Sequence, residues 1–530
     1  MFSFIAKKLR FLKSLLSQPS AESQQSPSKK GLFSDLELNL QEICETLGQS
    51  TDLVVRRFVL QAAKAQAAAL VYIDGLTDAK VINNQVLKPL MNSTGQETSK
   101  HGSGTEWVEE CLLTVGGVNR SDSLAGLIEA VLTGDTALII ESQTTALLIS
   151  TKGWEKRGVS EPDTEVIVKG PRDGFTETLR TNTALLRRKI GHPALTFEKI
   201  VVGKKTRTDI NIAYLRSVTN EKLVGEVRRR LKRIDTDGIL AAGFVEQYIE
   251  DAPFSPFITV GYTERPDVCA ARILEGRVAI MIDGTPVVST VPMLFIESFQ
   301  SPDDYNFRPF YATFIRWFRY SAYVTSIMLP GLYVALSSFH IEMVPTSLLI
   351  TMAAATEGTP FPSVAEALGM GLVFEILREA GIRLPRPIGQ AVSIVGALVI
   401  GEATVSAGLV GAPVVIVVAF TAITSFVVPT QADSGAILRF TFTILAGMFG
   451  AYGIIAGFLI VFIHLAGLRS FGVPYLAPIA PLISQDLKDV VVRMPLWAML
   501  TRPRSIYQQD PERQQFRLMP EPPEGEEGEK

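Results

Sequence analysis

Cysteine and histidine are scarce in this chain. Its three cysteines (Cys44, Cys111, Cys269) are scattered and odd in number. That excludes a disulfide framework and fits reduced thiols. Its four histidines (His101, His192, His340, His464) lie far apart, with no cysteine or carboxylate at ligand spacing, so no metal site is expected. The G-x-x-x-x-G-K-[ST] phosphate loop and the G-x-S-x-G nucleophile elbow are both missing. No catalytic residue, enzymatic activity or cofactor is therefore expected. A net charge of −3 gives no global field for nucleic acid. Charge is sparse in one stretch, Ser321 to Leu465, although it is dense before Arg319.

That contrast sets the fold class: a soluble N-terminal part of two small α/β subdomains, then a multi-span α-helical transmembrane domain. The expected boundaries are a leader (1–30), a first α/β subdomain (31–192), a second (193–300), the helical domain (301–468) and a tail (469–530). The leader MFSFIAKKLRFLKSLLSQ is basic and apolar, without a signal-peptide core or cleavage site. It reads as a frayed end or a segment lying on an anionic membrane surface. Gln18–Lys30 reads as a linker.

In the first subdomain, the stretch from Ser34 to Leu60 is expected to begin as a helix, with Ser34 and Glu37 as a capping box and Leu36, Leu40, Ile43 and Leu47 at helical spacing. Ala67–Asp74 reads as a buried strand and Asn92–Gly104 as an exposed loop. A helix capped at Ser121 and stopped at Gly134 leads to strands at Thr136–Glu141, Ala146–Ser150 and Glu165–Val168, and a helix at Thr176–Lys189. The second subdomain reads as strands Thr196–Val202 and Thr208–Tyr214, helix Lys222–Ile234, an extended run Ser255–Tyr262, helix Pro266–Glu275 and a hairpin around Asp283–Gly284. No internal repeat is visible, although the two units are compatible with one plan. The Arg228–Arg233 cluster reads as a solvated helix face or a contact for anionic lipid or an acidic partner.

Tyr311, Trp317 and Tyr320 suit an interfacial belt, with Arg316 and Arg319 on the cytoplasmic side. Ser321–Phe339 is uncharged over about 28 Å as a helix, enough for one span. Pro330–Gly331 in its middle frees a backbone carbonyl and calls for packing inside a bundle. Met343–Thr356 is short for a span. Pro360 and Pro362 break the chain before a helix capped by Ser363, with Val364, Leu368, Leu372 and Ile376 on one face. Ile388–Val428 suffices for two passes, and Phe440–Leu465 for a long final one. That makes five crossings. Basic residues at both ends (Arg469, Lys488, Arg493, Arg502 and Arg504 at the second) place both inside, which demands an even number. Met343–Thr356 or Pro413–Val428 is the expected non-spanning segment.

Small residues mark helix contacts. Gly447, Gly450, Gly453 and Gly457 share a helical face, and Ala403, Ala407 and Gly411 form a second ridge. Glu402 is the one charge in its stretch, and Glu357 adjoins a broken helix. Intramembrane carboxylates normally face a partner, water or an ion path. With Thr356, Ser363 and Glu366 they are the candidates for a pore or ion path.

The segment LPGLYVALSSFHIEMVPTSLLITMAAATEGTPFPSVAEALGMGLVFEILREAGIRLPRPIGQAVSIVGALVIGEATVSAGLV, with PFITVGYTERPDVCAARILEGRVAIMIDGTP and SPDDYN, closely resembles the A subunits of GerA-type nutrient germinant receptors of endospore-forming bacteria. The resemblance runs from about Leu36 to Pro481. It implies a place in the inner membrane of the dormant spore, with the N-terminal domain and C-terminal tail on the core side. It further implies a homo-oligomeric, ligand-gated cation channel that triggers germination with a transporter-like B subunit and a lipoprotein C subunit. A stage V sporulation AF-type relative, working with the dipicolinic acid channel, fits the same resemblance. A solitary secondary transporter is disfavoured by the few spans and the lack of an inverted repeat.

Overall fold

The computed structural model describes residues 31–61, 65–92, 105–153, 161–162, 164–385, 399–506 and 509–514. The expected leader, linker, the loop over 93–104, the start of the 388–428 passes and the acidic end fall outside these residues. Two compact units emerge, one of residues up to Thr46 with Leu53–Gly153, the other of Leu47–Asp52 with everything after residue 153.

The first unit is built on a five-stranded antiparallel sheet of order β1-β2-β4-β5-β3, with β1 Leu53–Gln61, β2 Ala65–Ile73, β3 Val118–Ser121, β4 Thr136–Ile140 and β5 Ala146–Ile149. Both expected caps are corrected here, and a strand appears that periodicity did not reveal. Helix α1 (Leu36–Leu47) ends where Gly48 adopts a positive φ of 74°, and the β-branched run after it pairs with β2 from Leu53↔Ile73 to Gln61↔Ala65. The cap of α1 is Asp35, whose Oδ1 accepts the Glu37 and Leu38 N–H groups, and not Ser34. Ser121 closes β3, and Ser123 caps α2 (Leu124–Leu132). One sheet face packs Leu60, Leu70, Leu138 and Leu147 against Val86, Leu90 and Trp107 of two short helical segments.

The second unit opens with the same plan. β6 Leu195–Val202, β7 Thr208–Leu215, β8 Gly261–Thr263, β9 Val278–Ile282 and β10 Val288–Val291 lie in the order β6-β7-β9-β10-β8. Position for position this is the order of the first sheet. Helix placement matches too. α1 and α3 (Leu179–Lys189) each precede the first strand of their sheet, and α2 and α6 (Pro266–Leu274) each link its third and fourth strands. The repeat is thus topological, with no visible sequence counterpart. Helices α4 (Glu221–Arg233) and α5 (Ala242–Ile249) cover one face of the sheet, α3 and α6 the other. Glu165–Val168 is not a strand; its first side chain instead accepts the Thr263 hydroxyl at 2.6 Å. The basic cluster of α4 is largely paired: Arg228 with Glu198, Arg229 with Glu226, and Arg230 with Glu226 and Asp251.

The helical part of this unit comprises α7 (Pro309–Ser338), α8 (Thr346–Thr356), α9 (Ser363–Arg383), a helical stretch at 399–406, α10 (Ala412–Ser425), α11 (Ala432–Phe449) and α12 (Ala451–Gly467). Among the described residues, no single helix is long and apolar enough to cross a membrane; α10 together with the 429–449 segment passes that test, bent by 113°. The single final span expected over Phe440–Leu465 is two helices, because Gly450 takes φ 60°, ψ −140° and folds α12 back onto α11.

Both ends of the bundle are fastened to the second α/β domain. At the start of α7, the fully buried Arg316 bonds Asp304 of the preceding turn (3.1 Å) and Asp489 of the C-terminal segment (3.1 Å), while Arg319 bonds Asp304 at 2.8 Å and donates to the Phe299 carbonyl at the end of the α/β domain at 3.1 Å. At the far end, Ser470 donates to the Thr259 carbonyl at 2.7 Å and Phe471 enters the core between α4 and α5. Val473, Ala477, Val490 and Ile506 then pack on Leu294 and Ile296. The tail is therefore structural as far as Ile506, where only a polar extension was expected.

Candidate functional site

The bundle is apolar on its outside as well as in its core, where Ile327, Val334, Val414, Leu438 and Phe442 pack together with polar side chains set among them. Exposed positions include Phe310, Phe314, Phe318, Ile416, Phe420, Ile423, Ile455, Phe458, Leu459, Phe462 and Ile463. Buried ones include Glu366, Thr421, Gln431, Ser434, Arg439 and Thr443. Gln431 bonds both Ser434 and Ser298, and two further polar foci bear on the site.

The first focus joins three helix ends. α9 begins after Pro362, which fixes a non-helical backbone at the cap; Ser363 is the first helical residue and makes no capping bond, contrary to expectation. This start puts Glu366 in the first turn of α9. Its side chain is 4 % exposed, and its Oε2 accepts the N–H of Gly411, the N-cap of α10, at 3.0 Å. A carboxylate at a helix N-terminus meets unpaired N–H groups and the positive end of the dipole. A Cβ on Gly411 would stand 2.8 Å from Thr356 Cγ2, at the end of α8. Thr356 donates its hydroxyl back to Met352 O at 3.0 Å. Of the sequence candidates, Thr356, Glu366 and Gly411 thus converge, with Ser363 one turn away. Glu357 and Glu402 are both exposed, and neither is brought to Glu366 by any described contact. Ala403 and Ala407 are also exposed, and the helix carrying Ala403 ends at residue 406. Ala403, Ala407 and Gly411 therefore do not form one helical ridge.

The second focus was missed. Arg439 on α11 is 5 % exposed and pairs with Glu375 of α9, which also binds Arg378 at 2.7 Å. The Arg439 guanidinium lies over the Phe374 ring at 5.6 Å. A cavity of about 10 Å³, roughly the space of one water, adjoins it and is lined by Thr421, Thr443 and Pro330 among others. The available sequence signal was an arginine within an otherwise apolar run, 64 positions from its carboxylate.

The small residues act within the chain. Pro330 is accommodated inside α7, and Gly331 lets that helix approach α11: a Cβ would lie 3.0 Å from the Phe442 carbonyl oxygen. Gly447 faces Val364 of α9, whereas Gly453 and Gly457 face Leu445 and Phe442 of α11. Since Gly450 is the break, these four glycines do not line one face of one helix.

In the α/β domains, burial pushes the Cys269 thiol up to about 12, which suppresses the thiolate. Burial likewise raises Glu165 and Glu246 despite the hydroxyls of Thr263 and Ser289. Glu165 also accepts the Glu264 N–H at 3.0 Å, and these bonds tie neighbouring elements together.

The family described as Bacillus/Clostridium GerA spore germination protein matches residues 41–505. Spore germination protein KA of Bacillus subtilis is 44 % identical over 94 % of this chain and 92 % of its own length. Spore germination protein GerLA of Bacillus cereus is 37 % identical, covering 91 % of this chain and 98 % of its own. Among solved structures, the N-terminal domain of the A subunit of the Bacillus megaterium germinant receptor GerK3 is 36 % identical, with a TM-score of 0.41, and covers 51 % of this chain and 98 % of its own. The chain belongs to the GerA family of spore germination proteins.

Proposed function

We propose that this chain is the A subunit of a nutrient germinant receptor, held in the spore inner membrane by its helical part and assembling into a cation channel. The observation that carries the reading is the apolar exterior of the bundle around an interior that also holds charged and polar side chains. Its outer faces present Phe458, Leu459, Phe462 and Ile463 to the surroundings while Glu366, Arg439 and Thr443 are buried. Hydrocarbon tolerates that exterior, and buried polar groups at membrane depth mark a functional interior. Broken helices belong to the same picture. α8 is too short to span, and irregular backbone survives in a bilayer only where protein or water covers it.

The passes are proposed to be even in number with the α/β domains on the core side, and the fastening of both bundle ends to one domain supports that. The resemblance supplies the partners: further copies of this chain, a transporter-like B subunit and a lipoprotein C subunit. The buried carboxylate of Glu366, at the meeting of α8, α9 and α10, is the residue we assign to the proposed ion path, with Thr356 and Ser363 near it. Glu357 and Glu402 remain outer candidates on the same path.

The test is potassium release from spores carrying the chain with Glu366→Gln. The reading expects release after nutrient addition to slow at least about tenfold, with the protein present at normal abundance. Unchanged release would remove Glu366 from the path.

A further inference from the structure

Helix α5 of the second α/β domain buries Ala242, Val245 and Ile249 in the domain core and leaves Phe244 and Tyr248 about half exposed on its other side. Leu240 just before it is 70 % exposed, and Phe254 just after it is wholly exposed. Phe244 and Tyr248 are four residues apart and so share a helix face. Four large apolar side chains turned outward within fifteen positions are more than the scattered singles of an ordinary surface.

Their location singles out what covers them. Ser255, next to Phe254, hydrogen-bonds His464 near the end of α12 at 2.9 Å, and Phe257 stacks beside the same imidazole. Phe471, just past α12, packs in the core that also holds Ala242, Val245 and Ile249. Arg230 lies over that Phe471 ring at 4.2 Å and binds Asp251, which also accepts the Phe471 N–H. The α5–Phe254 segment is thereby locked to the foot of α12. Directly above that foot, Phe458, Leu459, Phe462 and Ile463 present the apolar exterior of the bundle. Rings with an apolar body and, in Tyr248, a polar tip suit the level of lipid headgroups.

We infer that α5 and the 253–254 turn form a membrane-seated foot of the α/β domain, with Leu240, Phe244, Tyr248 and Phe254 dipped into the interfacial zone of the bilayer beside α12. The occupant is the lipid surface. The inference rests on the membrane reading of the bundle. The domain is then fixed in height and tilt by lipid as well as by its protein contacts.

Spin labels test it on the full chain in lipid nanodiscs, after its three cysteines are replaced by serine or alanine. Single substitutions Phe244→Cys, Tyr248→Cys and Phe254→Cys are labelled, with Phe458→Cys and Ile463→Cys as bundle references and Lys205→Cys as the exposed polar reference. The inference expects the three foot positions to relax with oxygen as the bundle references do, and their collision with a water-soluble nickel complex to fall at least about threefold below that at Lys205. If the foot positions match Lys205 while the bundle references are lipid-like, the foot is aqueous and the inference fails alone. If both reagents are excluded from the foot, a second copy of the chain covers it and the inference also fails. If the bundle references are themselves aqueous, the membrane reading falls, and the inference with it.

Discussion

Glu366 and Gly411, 45 positions apart, are joined by one hydrogen bond of 3.0 Å from the backbone N–H of Gly411 to a buried carboxylate oxygen. This bond fastens the start of α10 to the start of α9. It predicts a division between charge and shape. Glu366→Gln keeps an acceptor and is expected to preserve folding while altering ion release. Gly411→Ala keeps the charge but drives a methyl group against Thr356, and overpacking of this kind costs about 1–3 kcal/mol. Thermal melts of the detergent-solubilised chain against potassium release separate the two effects. Equal loss of stability in both variants would contradict the division.

Glu375 serves two cations, Arg378 and Arg439. Removing it strands both, and breaking a buried pair by deleting one partner costs about 3–5 kcal/mol. Glu375→Gln should therefore destabilise the chain strongly. Glu375→Gln combined with Arg439→Met should recover part of that loss, since the uncompensated guanidinium is gone. Chemical denaturation of the single and double variants reads the difference. A double variant as unstable as the sum of the singles would show that the pair is not coupled.

The hairpin of α11 and α12 rests on glycines that meet different obstacles. A Cβ at Gly453 would fall 2.2 Å from the Leu445 carbonyl oxygen, which is backbone and cannot step aside. At Gly457 the nearest atoms are side-chain carbons of Leu445 and Phe442, and at Gly467 nothing lies within 4 Å. Alanine substitution should therefore damage accumulation of the protein in the order Gly453, Gly457, Gly467, with the last neutral. Immunoblots of spore membranes would give that order, and a defect at Gly467 equal to that at Gly453 would contradict it.

Glu246 titrates against its burial. Desolvation raises its folded-state pKa even though the Ser289 hydroxyl donates to it. The folded state thus holds the proton more tightly than the unfolded chain. Its contribution to stability is present at low pH and is lost as the pH rises through the folded value. Glu246→Gln should melt at higher temperature than the wild type at about pH 7.5 and at the same temperature near about pH 4. A variant that melts lower at the higher pH would reverse the assignment.

Much of this architecture is legible in the residues. Runs such as TALII and VAIMI, and the pattern of KLVGEVRRRLKR on α4, settle into the expected strands and helix because each buries an apolar set at the matching period. What failed was decided at a distance. β1 is a strand only because β2 offers it a partner, and periodicity in Leu53–Gln61 alone does not reveal that partner. The break at Gly450 depends on Phe339 and His340 lying against it, so the glycine spacing read as one continuous ridge. The site was half legible for the same reason. Glu366 stood out as a charge near broken helices, whereas the tie between Glu375 and Arg439 exists only after α9 and α11 are laid side by side.

Ion conduction through an oligomer of this bundle in a bilayer is the activity proposed for the chain. Planar-bilayer recording of the purified chain, co-expressed with the proposed B- and C-type partners, before and after nutrient addition is the direct test. The account predicts cation-selective steps that appear with nutrient and change in amplitude in Glu366→Gln. A correctly assembled complex that stays silent with nutrient, or conducts identically in that variant, would contradict it.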